Sequence, residues 1–318
     1  MNPLEAVYVL SQKFLMQEGI AGVSFRAASR PVVRVYAEDW ETASRVPSVL
    51  MDSPVEVVVT GRFRLLSSRT ARLRPVPGGV SIGSVEITAG TLTGRVYDAA
   101  TGRKMFLSCR HVFWGGVGAR VLQPGRADGG RDPDDAVARI ARYADIRPPP
   151  AVNPVDAALA EPLSEDLASD EILEIGPVPK EWVEPEEGMR VVKSGRTTGV
   201  TKAAVLDVNA AVKVHGVPGM DYALFGPVAL TEALLQPGDS GSPVLDEATG
   251  ALTGIGFAGS DTHSLFCRIS LALSALNAAL APGAKPPAPQ APAERPTPLP
   301  LLPLAAGSLM LALAATLK

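Results

Sequence analysis

The stretch QPGDSGSPV, Gln236 to Val244, decides how the rest of the chain is read. It sets Ser240 in a Gly-Asp-Ser-Gly turn directly ahead of an apolar run. A serine that acts as a nucleophile needs its hydroxyl on a tight turn. It also needs backbone N–H groups aimed where negative charge develops on the attacked carbonyl. Gly238 and Gly241 permit such a backbone. The N–H groups of Gly238 and Ser240 are the candidate oxyanion donors. Read alone, the motif is equally a plain Gly/Ser β-turn, so its chemistry depends on what lies upstream.

Two upstream segments supply the missing parts. FLSCRHVF (106–113) reads as a strand that delivers His111 at its end. A serine hydroxyl is a poor nucleophile at neutral pH without a base, and histidine is the usual one. NPVDAALA (153–160) sets Asp156 in a run of small apolar residues. A carboxylate there is costly unless hydrogen-bonded, and an imidazole N–H is a fitting partner that also fixes the tautomer. Taken singly, His111 reads as structural and Asp156 as a turn residue beside Pro154. Taken together, their order is histidine, aspartate, serine, as in the chymotrypsin triad and unlike subtilisin or the α/β-hydrolases. The separations, 45 residues from 111 to 156 and 84 from 156 to 240, suit one barrel carrying His111 and Asp156. A second barrel would carry Ser240, with the cleft between them.

On these residues the region Pro77–Leu280 resembles the trypsin-like serine peptidases of the chymotrypsin fold. More narrowly, it resembles bacterial relatives of the plant NARROW LEAF protein. The likeness is carried by GGVSIGSVEITAGTL (78–92), LSCRHV (107–112), LQPGRADGGRDPDDAVARI (122–140), NPVDAALA (153–160), VVKSGRTTGVT (191–201) and QPGDSGSPV (236–244), and more weakly by SPVEVVVTG (53–61). The resemblance implies a mainly β fold of two six-stranded antiparallel barrels and a peptide-hydrolysing triad of His111, Asp156 and Ser240. It also implies that Ser194–Gly199 lies beside the oxyanion hole, and that His263 lies where the primary specificity pocket is walled. Leu234, Leu235 and Phe257 would line the same region. The stretch before Gln236 has no acid except Glu232, which favours an apolar side chain at P1. Many secreted members bridge a cysteine just after the histidine; here Val112 follows and Cys109 precedes. A whole domain precedes the barrels, so Asp239 need not capture a newly cut amino terminus.

The composition bounds the alternatives. The 318 residues are 46% hydrophobic and 20% charged, with a formal net charge of -3, which excludes a mostly disordered chain and gives no basic excess for nucleic acid. Two cysteines exclude a disulfide framework and a Cys-rich zinc module. Asp128, Asp132, Asp134 and Asp135 cluster in a turn, but their spacing is not that of a calcium loop. No metal and no cofactor is expected.

Domain boundaries follow the composition: a small α+β domain over 1–66, a basic linker over 67–77, the two-barrel unit over 78–281, a proline-rich spacer over 282–298 and an apolar tail over 299–318. In the first domain, Leu4, Val7, Leu10, Phe14 and Leu15 recur at helical spacing, Gly22–Arg26, Pro31–Tyr36 and Pro54–Thr60 read as strands, and Asp39–Met51 as a helix. No basic n-region precedes the first pattern, so the expected compartment is the cytoplasm, with both thiols reduced. The 19 uncharged residues Leu299–Leu317 are just long enough, as a helix, to cross a bilayer core of about 30 Å. They read as a membrane anchor or as an unpacked apolar tail. The expected partner is a protein or peptide substrate. The rival to a serine endopeptidase is a non-hydrolytic relative that binds peptide in the same cleft, or an assembly or scaffold protein; the oligomeric state is open.

Overall fold

A computed structural model of the chain describes residues 13–26, 32–50, 52–63 and 68–288. The expected first helix lies mostly outside the described residues. So do the proline-rich segment beyond Ala288 and the apolar stretch Leu299–Leu317. Among the described residues no helix is long and apolar enough to cross a membrane. The described residues fall into two compact units that divide ahead of Ser68.

The first unit is a small α+β sheet. Strands β1 (Ile20–Arg26) and β2 (Val32–Ala37) are antiparallel. Helix α1 (Trp40–Arg45) follows, then β3 (Val49–Leu50) and β4 (Ser53–Val59), which runs parallel to β2. Phe14, Ile20, Val33 and Val35 form the core. Asp39 caps α1 by accepting a hydrogen bond from Thr42 N at 2.6 Å. The helix ends at Arg45 instead of running to Met51. Val46 is extended because Pro47 disfavours the helical region for the residue before it.

The second unit carries two barrels. In chain order the first half supplies β5 (Val76–Gly78), β6 (Ser81–Ser84), β7 (Gly90–Thr91), β8 (Gly94–Asp98), β9 (Lys104–Ser108), β10 (Arg120–Leu122), β11 (Ala136–Tyr143), β12 (Val152–Asn153), β13 (Ala158–Pro162), β14 (Ala168–Ile172) and β15 (Gly176–Pro177). The second half supplies β16 (Arg190–Gly195), β17 (Gly199–His215), β18 (Tyr222–Glu232), β19 (Pro243–Asp246), β20 (Leu252–Gly259), β21 (His263–Arg268), helix α2 (Ile269–Ala275) and β22 (Ala278–Ala279).

The first barrel runs β8-β9-β13-β11-β10-β6, all antiparallel. β7 and β8 are successive parts of one stretch, the first paired with β6 and the second with β9. Between them Leu92 N donates to Val80 O at 3.0 Å and Thr93 N to Leu107 O at 2.9 Å, so the ring closes. The second barrel runs β18-β17-β16-β19-β20-β21 and closes because β18 also pairs with β21. The fold is mainly β and of the chymotrypsin type. One buried cluster, including Phe106, Leu107, Val112, Leu159, Phe225, Ile255 and Phe257, runs through both halves.

The chain returns to the first barrel after completing the second: β22 pairs with β8 through Ala278↔Asp98 and Ala279↔Tyr97. The sequence from Leu271 to Leu280 has a helical pattern, but the helix starts earlier, at Ile269, and stops at Ala275. Asn277, at φ 45, turns the chain out of it.

The basic segment expected to be a solvated linker is instead part of the second unit from Ser68 onward. Arg69 donates to Gly79 O at 3.0 Å and Ser194 Oγ at 2.7 Å and pairs with Glu174. Arg72 pairs with Asp135, and Arg74 Nη2 donates to Gln123 O at 3.0 Å. The arginines spaced along RTARLR each find a specific acceptor on the first barrel, which composition alone does not reveal.

Candidate active site

Strand register brings His111 and Asp156 together. β9 and β13 pair with Ser108 opposite Ala158. Continued past the strand ends, that antiparallel register sets residue 156 across from residue 110, within reach of the next side chain. His111 Nδ1 and Asp156 Oδ2 are 2.5 Å apart, and the backbone N of His111 donates to Asp156 Oδ1 at 3.1 Å. Asp156 is buried and His111 is a quarter exposed. Burial alone would push the His111 pKa down. The charge of Asp156 and the hydrogen bond to it outweigh burial and hold that pKa above its ordinary value.

Ser240 opens onto the same cleft, a cavity of about 530 Å³. Its hydroxyl donates to Phe257 O at 3.1 Å rather than to His111. The turn around it needs its glycines. A Cβ on Gly241, at φ +95, would meet Thr91 O at 2.0 Å, and one on Gly238, at φ +96, would meet Thr197 Oγ1 at 2.4 Å.

Every carbonyl from Pro237 to Gly241 accepts a hydrogen bond. Thr197 Oγ1 donates to Pro237 O at 2.8 Å, Thr91 Oγ1 to Gly238 O at 2.9 Å, Ser242 Oγ to Asp239 O at 2.6 Å, Thr91 N to Ser240 O at 2.7 Å and Thr93 Oγ1 to Gly241 O at 2.7 Å. The N–H groups of Gly238 and Ser240, by contrast, donate to nothing among the described residues. A tight turn with all its acceptors pinned and two donors left open is suited to receiving an oxyanion.

Beneath this turn lies a sealed ion pair. Asp239 and Lys193 are both fully buried, with Nζ 3.2 Å from Oδ2. The Asp239 carboxylate also accepts from Gln236 N at 3.0 Å, Thr198 Oγ1 at 2.5 Å, Thr197 N at 2.8 Å and Thr198 N at 3.2 Å. Lys193 Nζ spends its other two protons on Thr198 Oγ1 and on Gly199 O at 2.9 Å. Burial would raise the Asp239 pKa. The Thr198 hydrogen bond, the Lys193 charge and the backbone donors outweigh it, so the pKa lies below the usual range. Burial pushes the Lys193 pKa down. The turn that bears Ser240 is thus anchored by an ammonium from within the chain.

The remaining expected residues divide. Phe257 and His263 line the large cavity, whose far wall is Val212, Val214, Val217 and Leu230. Leu235 lines a smaller cavity of about 220 Å³ on the other side of Ser240, with Gln236, Pro237, Ala258 and Asp261. Leu234 lines neither. It packs in the second-barrel core with Val191, Val205 and Phe266. Asp261, Thr91 and Lys193 escaped the sequence reading. Lys193 alone had a signal, a lone cation inside an apolar strand.

The ligand atoms of Cys109, His111 and Asp156 lie within 4.8 Å of one another. Burial, with the nearby Asp156 charge, holds the Cys109 thiol well above its ordinary pKa, and it donates to Gly256 O at 3.4 Å. A protonated thiol is a poor metal ligand. In the acidic turn, Asp128 is bound by Arg196, Asp132 by Arg120 and Asp135 by Arg72.

Among curated proteins none matches the sequence. The chain is similar in structure to Nocardiopsis protease (19% identity, 65% of this chain and 98% of that one, TM-score 0.49). It is similar to Thermobifida fusca protease A (20%, 65% and 99%, 0.48) and to Cellulomonas bogoriensis chymotrypsin (18%, 65% and 98%, 0.48). Residues 92–255, more than half of the sequence, match the family model described as a trypsin-like peptidase domain. The chain belongs to that family.

Proposed function

We propose that the protein is a serine endopeptidase in which His111, Asp156 and Ser240 act as a triad. The observation that carries this reading is the paired His111 and Asp156 sharing one cleft with a serine flanked by two undonated backbone N–H groups. With substrate bound, the Ser240 hydroxyl turns from Phe257 O to His111 Nε2. Its oxygen attacks the scissile carbonyl as the proton passes to the imidazole. Asp156 holds the tautomer and stabilises the imidazolium. The N–H groups of Gly238 and Ser240 take the oxyanion. Collapse of the tetrahedral intermediate breaks the C–N bond as His111 returns the proton to the leaving amine, and water repeats the cycle on the acyl-enzyme.

The smaller cavity, walled by Leu235 and Ala258 with Asp261 exposed at its rim, is assigned to an apolar P1 side chain. The motifs support a narrower place among relatives of the NARROW LEAF protein. A cytoplasmic enzyme held at a membrane by the apolar stretch Leu299–Leu317 is consistent with that stretch's composition. Truncation after Leu280 would leave peptidase activity intact and release the protein from the membrane fraction.

An alkyl fluorophosphonate tests the reaction directly. Ser240 displaces fluoride and becomes covalently labelled, and Ser240→Ala abolishes the label. A folded wild-type protein that takes no label, and cleaves nothing in a peptide library, would instead be a peptide-binding relative.

A further inference from the structure

Granted that serine-peptidase reading, we infer that Thr197 is a positioning residue that locks the Pro237–Gly238 peptide with its N–H facing the cleft. Pro237–Gly238 is a trans peptide, so its carbonyl and its N–H point in opposite directions. Whatever holds Pro237 O therefore aims Gly238 N–H. What holds it is one hydroxyl, Thr197 Oγ1, at 2.8 Å. Gly238 itself, at φ +96 and without a side chain, offers little resistance to a flip of that peptide.

A hydroxyl has one proton and can turn it elsewhere. Here it is constrained from behind. Arg196 Nη1 donates to Thr197 Oγ1 at 3.3 Å. A guanidinium cannot accept a hydrogen bond, so the threonine proton is directed toward Pro237 O. Arg196 is in turn fixed by a two-point contact with Asp128, Nε to Oδ2 at 2.5 Å and Nη2 to Oδ1 at 2.6 Å, and Ser81 Oγ also donates to that carboxylate at 2.5 Å. The Arg196 backbone N donates to Thr91 Oγ1 at 3.0 Å, whose own proton goes to Gly238 O. The first barrel thus reaches across through Asp128 and Arg196 to set one hydrogen bond in the second. Neither Thr197 nor Arg196 touches the reacting atoms; they act through a peptide that does.

The test compares Thr197→Val, which keeps the shape and loses the hydroxyl, with Thr197→Ser, which restores it. Thr197 is exposed, so both variants should fold with an unchanged melting temperature. Loss of a whole oxyanion donor costs about 10²–10³ in turnover. Thr197→Val should therefore label with an alkyl fluorophosphonate, and turn over a peptide substrate, about 10- to 100-fold more slowly, with KM nearly unchanged. Thr197→Ser should recover most of the loss. A crystal structure of Thr197→Val should show the Pro237–Gly238 peptide turned, with Gly238 N–H out of the cleft. Wild-type labelling rates in Thr197→Val, or an unturned peptide in its crystal structure, would overturn the inference. If the wild-type protein itself takes no label, the peptidase reading fails, and the orientation of that peptide still decides the role of Thr197.

Discussion

Two buried aspartates serve this cleft, and they are furnished in opposite ways. Asp156 has one ionic partner, His111, which is a quarter exposed and lines the cavity. Asp239 has four other donors and a lysine as fully buried as itself. Histidine changes charge near neutral pH, whereas lysine against a carboxylate does not. In the proposed mechanism, the carboxylate that accompanies the proton transfer is left with a titratable partner at the edge of solvent. One that holds a turn still is given an excess of fixed donors and no exposed surface. Burial is not what separates a working carboxylate from a bracing one; the titratability of its partner is.

The comparison can be broken most sharply on the working side. Ser240→Ala and His111→Ala should each lower kcat by about 10⁶-fold, and the double variant should be little worse, because the residues act as a unit. Single-turnover kinetics on a peptide substrate measure this, and independent, multiplying losses would contradict it. Asp156→Asn should lower the rate by about 10⁴-fold by favouring the wrong tautomer, with circular dichroism and melting almost unaltered. Lys193→Met should do the reverse of Asp156→Asn. It leaves a buried carboxylate without its counter-ion, a loss of about 3–5 kcal/mol in stability, readable in a denaturant midpoint. A stable Lys193→Met beside an unfolded Asp156→Asn would invert the distinction.

A finer test uses pH. His111 must be neutral to accept a proton. Its pKa is raised, so the rising limb of kcat/KM should lie above the ordinary histidine value of about 6.5. In Asp156→Asn the limb should move down, since burial alone remains. The stability that the His111–Asp156 pair contributes is full below about 6.5 and is lost as pH rises through the raised pKa. The Asp239 pKa is lowered, so its contribution is present above the usual carboxylate range and is lost as pH falls through the depressed value. His111 and Asp239 should therefore weaken the protein at opposite ends of a pH–stability curve. The smallest effect concerns the thiols. Cys109 and Cys267 are free, buried and raised in pKa. A thiol reagent should leave the native protein unmodified and find two thiols only after unfolding, with activity indifferent to reductant.

How much of this was legible depends on whether a residue's job is local. Ser240 and His111 stand at the ends of apolar runs, and their motifs are contiguous. The short apolar runs at 104–107 and 252–257 read as strands, and they appear as Lys104–Ser108 and Leu252–Gly259, buried almost throughout. Where the ladder is irregular, such a reading fails. β17 is one strand of 17 residues, yet it reads as two, Ala203–Val208 and Ala211–Val214, because the register with β18 shifts between Asp207 and Ala210. β18 hides its length behind Gly226-Pro227, and β11 behind Arg139 and Arg142, which interrupt its apolar run. The bracing residues were beyond reach for another reason. Thr91 meets Gly238, and Asp128 meets Arg196, only across the cleft between barrels, and no short window of sequence contains both partners.

The return of the chain to the first barrel bears on how such a protein is made. β22 pairs with β8, Arg95 Nη1 donates to Leu280 O at 3.2 Å, and Arg142 reaches the carbonyls of Leu276 and Asn277. The barrel that bears His111 and Asp156 is therefore clasped by residues that the ribosome adds after the whole second barrel. A nascent chain that has already exposed Ser240 still lacks the clasp. Domains fold as units during synthesis, but this unit cannot finish until translation has passed Leu280, long after its histidine has emerged. Late closure of the first barrel means that His111, Asp156 and Ser240 take up their final relative places only after residues 276–280 have been made.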